Sequence, residues 1–345
     1  MNRGILKWKT LLLVFIVSLF IFYPLLPYII PSKRTSNIPL EEEVFYPNNF
    51  RIVSTTGLLY TLDFIKKPSC QKQILSKYSV ISFLEVFNDW LAIARSNNQY
   101  DTPPRDIPTA LKEQYLLNNH VALKMIYSDT HPKKEDSVWS MIPQWMELPE
   151  NDLYKISAYG LRGKAVYHAF KHYPIHNKVG FVVGSERPWV EVYALLNGAK
   201  EVTTVEYQKL VIEGTNKVRY IHPVAFAEQW KENQGAFDFA ASFSSIEHSG
   251  LGRYGDPLDP IGDLREVWKI SCLLKQGGLL FLGLPRGDEV LVFNLHRIYG
   301  PIRLAMIMTG FEWLATFRRD TPHPINFTWN DFKGYHQDLF VLRKI

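Results

Sequence analysis

An α/β fold with a seven-stranded sheet is predicted by three observations on the second half of the chain. From Val179 onward, short apolar runs of buried-strand type alternate with segments of helical apolar spacing, the pattern of a parallel sheet covered by helices. The first run ends in a glycine-containing turn, Gly184-Ser185-Glu186, placed just before a helix. The last two runs follow one another across a polar loop with no helix between them, as an antiparallel hairpin at one sheet edge does.

The elements follow in order. Val179–Val183 is a buried-type strand, and Pro188–Leu196 is helical, with Pro188 tolerated in the first turn and Gly198 suited to the C-terminal cap. Glu201–Glu206 completes a βαβ unit of about 30 residues. Val218–His222 and Phe237–Phe243 supply a third and a fourth strand. Asp263, with Glu266 three residues on, predicts a capping box opening a helix whose apolar stripe is Leu264, Val267, Trp268 and Leu274. Gly277-Gly278 is expected to end that helix, and Leu279–Leu284 to form the fifth strand. Pro301–Thr309 predicts a further helix; Phe311–Phe317 and Asp338–Arg343 are the final pair.

The first half is organised differently. A basic tail, residues 1–10, precedes an uncharged stretch from Leu11 to Ile30 that is long enough to cross a bilayer. Its length, its three nearby prolines and the lack of a small-x-small site favour an uncleaved anchor over a signal peptide. Arg3, Lys7 and Lys9 on its N-terminal side favour a single-pass, type II orientation, with the bulk of the chain lumenal or extracellular. Residues 31–50 are expected to form a stem. Residues 51–158 predict a mainly helical accessory region, with helical spacing over Ile81–Ala94 and Ile107–Tyr127, packed on or beside the α/β domain of residues 159–345.

Composition excludes several classes. A net charge of +5 is spread along the chain without a basic run, so no nucleic-acid partner is expected. Cys70 and Cys272 are too few for a disulfide framework and lack metal-ligand spacing. Cys272 falls in a predicted helix, where a buried free thiol is expected. His248, Asp256 and Asp259 match no known metal spacing, and no metal is predicted.

In doubly wound sheets ligands bind outside the carboxyl ends of the strands. Gly184, Ser185 and Glu186 occupy one such end, where a glycine lets backbone approach a ligand. Glu206 ends the second strand, at the spacing from Gly184 that suits a carboxylate accepting from both ribose hydroxyls of a nucleoside; the bland alternative is an exposed strand-end charge. Ser244, Glu247 and His248 follow the fourth strand. His248 is the candidate general base, with Glu247 orienting it or contacting the cofactor; the alternative is a loop histidine with a structural hydrogen bond.

The segments FDFAASFSSIEH (237–248) and LREVWKISCLLKQGGLLFLGLP (264–285) resemble the fourth-strand motif FD-x-V-x-S…LEH and the following L-x-E-x-x-R-x-L-K-P-G-G segment of class I S-adenosylmethionine-dependent methyltransferases. Gln276 stands where proline is usual, and the first loop, GSERPW, has one glycine where that superfamily has several. With GSERPWVE, HSGLGRYGDP and IYGPIR, the chain from Val179 to Ile345 is further similar to a nematode-type family of unknown function within that superfamily. The resemblance implies a Rossmann-like fold and S-adenosylmethionine as cofactor, bound by Gly184, Ser185, Glu186, Glu206 and Ser244. It also implies methyl transfer to an O or N atom of a small molecule or glycan. A non-catalytic relative of the same fold is the alternative. A type II glycosyltransferase ranks lower, because the chain has no D-x-D motif.

Overall fold

The computed structural model describes residues 50–53, 58–61, 82–96, 102–117, 119–128 and 135–345, with backbone only for 50–61. The expected anchor at 11–30, the stem up to residue 49, and Cys70 lie outside the described residues. Among the described residues, no helix is long and apolar enough to cross a membrane.

Strands β1 (Phe50–Val53) and β2 (Leu58–Thr61) pair antiparallel. Helix α1 (Phe83–Arg95) starts at a capping box in which Ser82 and Glu85 exchange hydrogen bonds, close to the predicted bounds. The helix expected over Ile107–Tyr127 is not formed. A short helix α2 (Lys112–Tyr115) is broken by Leu117 and Asn119, whose φ angles of 46° and 69° are left-handed. Beyond them the chain becomes strand β3 (Ala122–Ile126). Strand β4 (Ser137–Trp139) and helices α3 (Ile142–Met146) and α4 (Lys164–His172) follow. Among its described residues the accessory region combines helices with short strands.

The α/β domain matches the expected alternation. Its elements are β5 (Val179–Val183), α5 (Trp189–Leu196), β6 (Glu201–Val205), β7 (Leu210–Ile212), β8 (Val218–Ile221), α6 (Pro223–Glu228), β9 (Phe237–Phe243), α7 (Gly262–Leu273), β10 (Leu274–Arg286), β11 (Val290–Asn294), β12 (His296–Ile298), α8 (Pro301–Ile307), β13 (Phe311–Arg318) and β14 (His336–Lys344). Seven strands form one mixed sheet in the order β13-β14-β10-β9-β5-β6-β8. The five strands β10, β9, β5, β6 and β8 run parallel, and β14 enters antiparallel between β10 and β13. This is the class I methyltransferase-like order, including the predicted terminal hairpin. The order reverses between β5 and β9, the topological switch point where ligands bind in such sheets.

Alternation along the strands builds two cores. Phe181, Ala240, Leu280, Leu282 and Phe340 face one layer, with α1, α6, α7 and α8. Val182, Phe239, Ala241, Phe281 and Val341 face the other, with α4 and α5. Gly180 permits the close fit of the second layer, since a Cβ there would lie 2.4 Å from the Phe239 ring.

Two local expectations are corrected. Asp263 does not cap α7: Ile261 is the N-cap, with no side-chain cap, because Asp263 turns inward to buried arginines. Gly277-Gly278 does not end α7, which stops at Leu273. Leu274 already pairs with Phe237, and the glycines fill an irregularity within β10, with Gly277 at φ 75°. Strands β11 and β12, unforeseen in the sequence, form a small sheet with β3 of the accessory region.

Candidate functional site

The carboxyl ends of β5, β6 and β9 meet around a cavity of about 220 Å³. Gly184, Ser185, Glu186, Glu206, Ser244 and His248 all line it; Glu247 does not. One end is apolar, walled by Phe181, Phe226, Ile270 and Leu273 together with Phe87 and Trp90 from α1. Helix α1 is held there by a Phe87–Trp230 stack (5.0 Å, 4°), by Lys269 3.5 Å over the Trp90 ring, and by an Asp89–Arg265 ion pair at 3.5 Å. The accessory region thus supplies part of the cavity wall.

Gly184 shapes the first strand end. Its φ is 76°, and a Cβ would lie 1.8 Å from Ser245 Oγ. Only glycine both adopts that backbone and lets the β5 and β9 loops touch. Ser185 lines the cavity, and its hydroxyl donates to the buried Glu191 Oε2 (3.2 Å). Glu206, following β6, accepts the Gln208 N–H (3.1 Å); burial raises its pKa, and the neighbouring Glu186 adds to the effect. The guanidinium of Arg187 lies 5.1 Å over the Trp145 ring.

At the fourth strand end, Ser244 holds a left-handed φ of 55° and donates its hydroxyl to Glu247 Oε1 (2.6 Å). Its side chain is thereby committed to the protein. Glu247 is buried, its second oxygen has no partner among the described residues, and burial pushes its pKa up to about 7. His248 Nδ1 lies 2.6 Å from the Leu295 carbonyl. A carbonyl only accepts, so Nδ1 carries the hydrogen and Nε2 is left as the acceptor, 3.9 Å from Glu247 Oε1. Burial, with Arg253, His296 and Arg297 nearby, lowers the His248 pKa to about 3. The ring is neutral across physiological pH. It suits a hydrogen-bond acceptor that orients a substrate hydroxyl or amine better than a strong proton acceptor.

The loop after His248 is ordered from within. Asp256 Oδ2 accepts the N–H groups of Gly250 (2.7 Å), Leu251 (3.0 Å) and Gly252 (3.1 Å), and Oδ1 accepts that of Tyr254 (3.1 Å). Asp259 pairs with Arg265 at 2.8 Å. Beneath it, Asp263 is fully buried. Arg303 grips it through two nitrogens (2.8 and 2.6 Å), and Tyr299 donates at 2.9 Å. Arg297 lies 3.7 Å away and donates to the Ser249 carbonyl (2.6 Å). Burial alone would raise the Asp263 pKa, but Arg297 and Arg303 hold it down at about 2.

Sequence reasoning did not single out Glu191, Arg297 or Arg303 for these roles. A glutamate within WVEVYALL is a signal for the first, since a charge in an all-apolar helix must find partners inside. No sequence pattern links Asp263 to arginines 34 and 40 residues away.

Residues 177–345 match the family model described as Caenorhabditis protein of unknown function, DUF268, so the expected similarity to a nematode-type family is met. No curated protein matches the chain. Among solved structures, the chain is similar to the Burkholderia thailandensis 1,6-didemethyltoxoflavin-N1-methyltransferase with bound 1,6-didemethyltoxoflavin and S-adenosylhomocysteine. Identity is 17% over 56% of this chain and 81% of that one, with a TM-score of 0.38. It is also similar to an S-adenosylmethionine-dependent methyltransferase from Mesorhizobium loti, at 14% identity over 54% of this chain and 100% of that one, with a TM-score of 0.34.

Two outcomes are expected. Gly184→Ala, strained at its φ and overlapping Ser245, should lower the thermal midpoint of unfolding. Asp263→Asn strands two buried arginines and should cost about 3–5 kcal/mol in guanidinium unfolding at pH 7. Because the folded value of Asp263 lies below its ordinary 3.8, its contribution is full above that value and fades as pH falls through about 2. The variant should lack this acid limb in stability measured against pH.

Proposed function

We propose that the protein is a methyltransferase that uses S-adenosylmethionine to methylate an O or N atom of a small molecule or glycan. One observation carries the reading: Gly184, Glu206 and His248, from three different strand ends, converge on a single cavity at the switch point of a class I methyltransferase-like sheet. The donor set fits the cofactor. The aromatic and aliphatic end accommodates a planar base, Glu206 is an acceptor for ribose hydroxyls, and Glu186 adds negative charge for a cationic methionine portion.

S-adenosylmethionine bound there supplies an electrophilic methyl group. The chain's own residues position the partners: the Gly184 turn brings backbone to the ligand, α1 excludes water from the apolar end, and His248 Nε2 accepts the acceptor's hydrogen and aligns its lone pair. Ser185 and Ser244 contribute through backbone and shape, since their hydroxyls are engaged elsewhere.

The proposal includes a membrane anchor at 11–30 and a lumenal or extracellular α/β domain. Asn326 and Thr328 of the sequon Asn326-Phe327-Thr328 are exposed in the loop before β14, accessible to glycosylation on that side.

Calorimetry of the chain with S-adenosylmethionine and S-adenosylhomocysteine tests the function. Binding is expected, with Glu206→Ala weakening it about tenfold or more, as loss of a buried charged acceptor does. His248→Ala should retain cofactor affinity and lower turnover once an acceptor is identified. A folded protein that binds neither compound would favour the non-catalytic alternative. Endoglycosidase treatment should shift the mobility of the membrane-expressed protein, and Asn326→Gln should remove the shift. An unshifted protein cleaved by protease from the cytosolic side of intact membranes would reverse the orientation.

A further inference from the structure

Glu191 has no part in the chemistry above, yet it is fully buried and in contact with Ser185 of the cavity lining. It lies in the first turn of α5. Thr204 Oγ1 donates to its Oε1 (2.8 Å) and Ser185 Oγ to its Oε2 (3.2 Å). Ser185 precedes Glu186, and Thr204 stands two residues before Glu206. Glu191 therefore joins the two segments that present the cavity's carboxylates.

Its partners are neutral hydroxyls, and among the described residues no cation pairs with it. Burial raises its pKa to about 7, with Glu206 nearby adding to the rise. Glutamine would fill the same space without the cost of burying a charge. Above pH 7 the ionised form prevails and accepts from both hydroxyls, and the N-terminus of α5 favours negative charge there. An ionised Glu191 adds a third negative charge at the end of the cavity that already holds Glu186 and Glu206.

We propose that Glu191 is a positioning residue that also sets the charge preference of the cavity, favouring the sulfonium donor over the neutral thioether product. This rests on the donor assigned above. Methyl transfer breaks the S–CH₃ bond and leaves its electron pair on sulfur, while the acceptor forms a C–O or C–N bond and releases a proton to water. The ligand thereby loses one positive charge, and a buried carboxylate in contact with the cavity lining holds it less tightly once it is spent. Glu191 thus favours product release as well as donor capture.

The test is calorimetric dissociation constants of the full chain at pH 8 for S-adenosylmethionine and S-adenosylhomocysteine, in wild type, Glu191→Gln and Glu191→Asp. Wild type is expected to prefer the donor. Glu191→Gln should weaken donor binding about tenfold more than it weakens thioether binding, the order expected of one unit charge at a partly screened distance. Glu191→Asp, which keeps the charge but not the reach, should bind both more weakly and retain the preference. A glutamine variant that weakens both ligands equally, or neither, overturns the charge role while leaving the donor assignment standing. Should that variant fail to fold, an aspartate variant without the preference overturns it instead. A folded wild type that binds neither ligand overturns the donor assignment and this inference with it.

Discussion

The buried cluster of Asp263, Arg297, Arg303 and Tyr299 is the constraint on which the site depends. Two guanidinium groups and one carboxylate, all nearly inaccessible, are stable inside only because each finds partners, and those partners lie on separate segments. Arg297 comes from β12 and Arg303 from α8. Both also bind carbonyls of the Glu247–Pro260 loop: Arg297 those of Ser249 and Asp259 (2.6 and 3.3 Å), Arg303 that of Pro260 (2.8 Å). The loop that carries His248 therefore cannot move without exposing or orphaning buried charge. Asp256, with its four backbone N–H groups, ties the same loop from within.

The α/β half of the chain was legible because its signals are local. Strand β9 falls at its predicted bounds, and the βαβ unit from β5 to β6 follows from apolar runs punctuated by Pro188 and Gly198. The terminal hairpin followed from the absence of a helix between its strands. The misreadings also have local causes. Val121–Ile126 carries apolar residues that fit helical spacing, but the left-handed residues at 117 and 119 break the chain, and pairing with β11 selects strand. That pairing joins segments more than 160 residues apart, which no local pattern reveals. Asp263 has the spacing of a cap, but burial against two arginines outweighs a surface capping box.

The candidate site was legible in its position and less so in its chemistry. Strand-end placement brought Gly184, Glu206 and His248 together, as sheet topology requires. Side-chain pairing was hidden: the hydroxyls of Ser185 and Ser244 donate to the buried carboxylates of Glu191 and Glu247. The protonation of His248 depends on burial and on the Leu295 carbonyl, neither of which is visible in the stretch Ile246-Glu247-His248. Phe87 and Trp90 entered the site because α1 docks across a distance in sequence that only the folded chain closes.

That docking has a thermodynamic consequence. The cavity is composite, its apolar end completed by a helix from outside the α/β domain and held by a ring stack, a cation over an indole and one ion pair. Whatever occupies the cavity against Trp90 binds the docked arrangement and not the undocked one. Occupancy and helix docking are therefore linked equilibria, each strengthening the other by the same free energy. Release of α1 would open the site along its apolar side, so retention of a ligand there is as much a property of residues 83–95 as of the sheet that positions it.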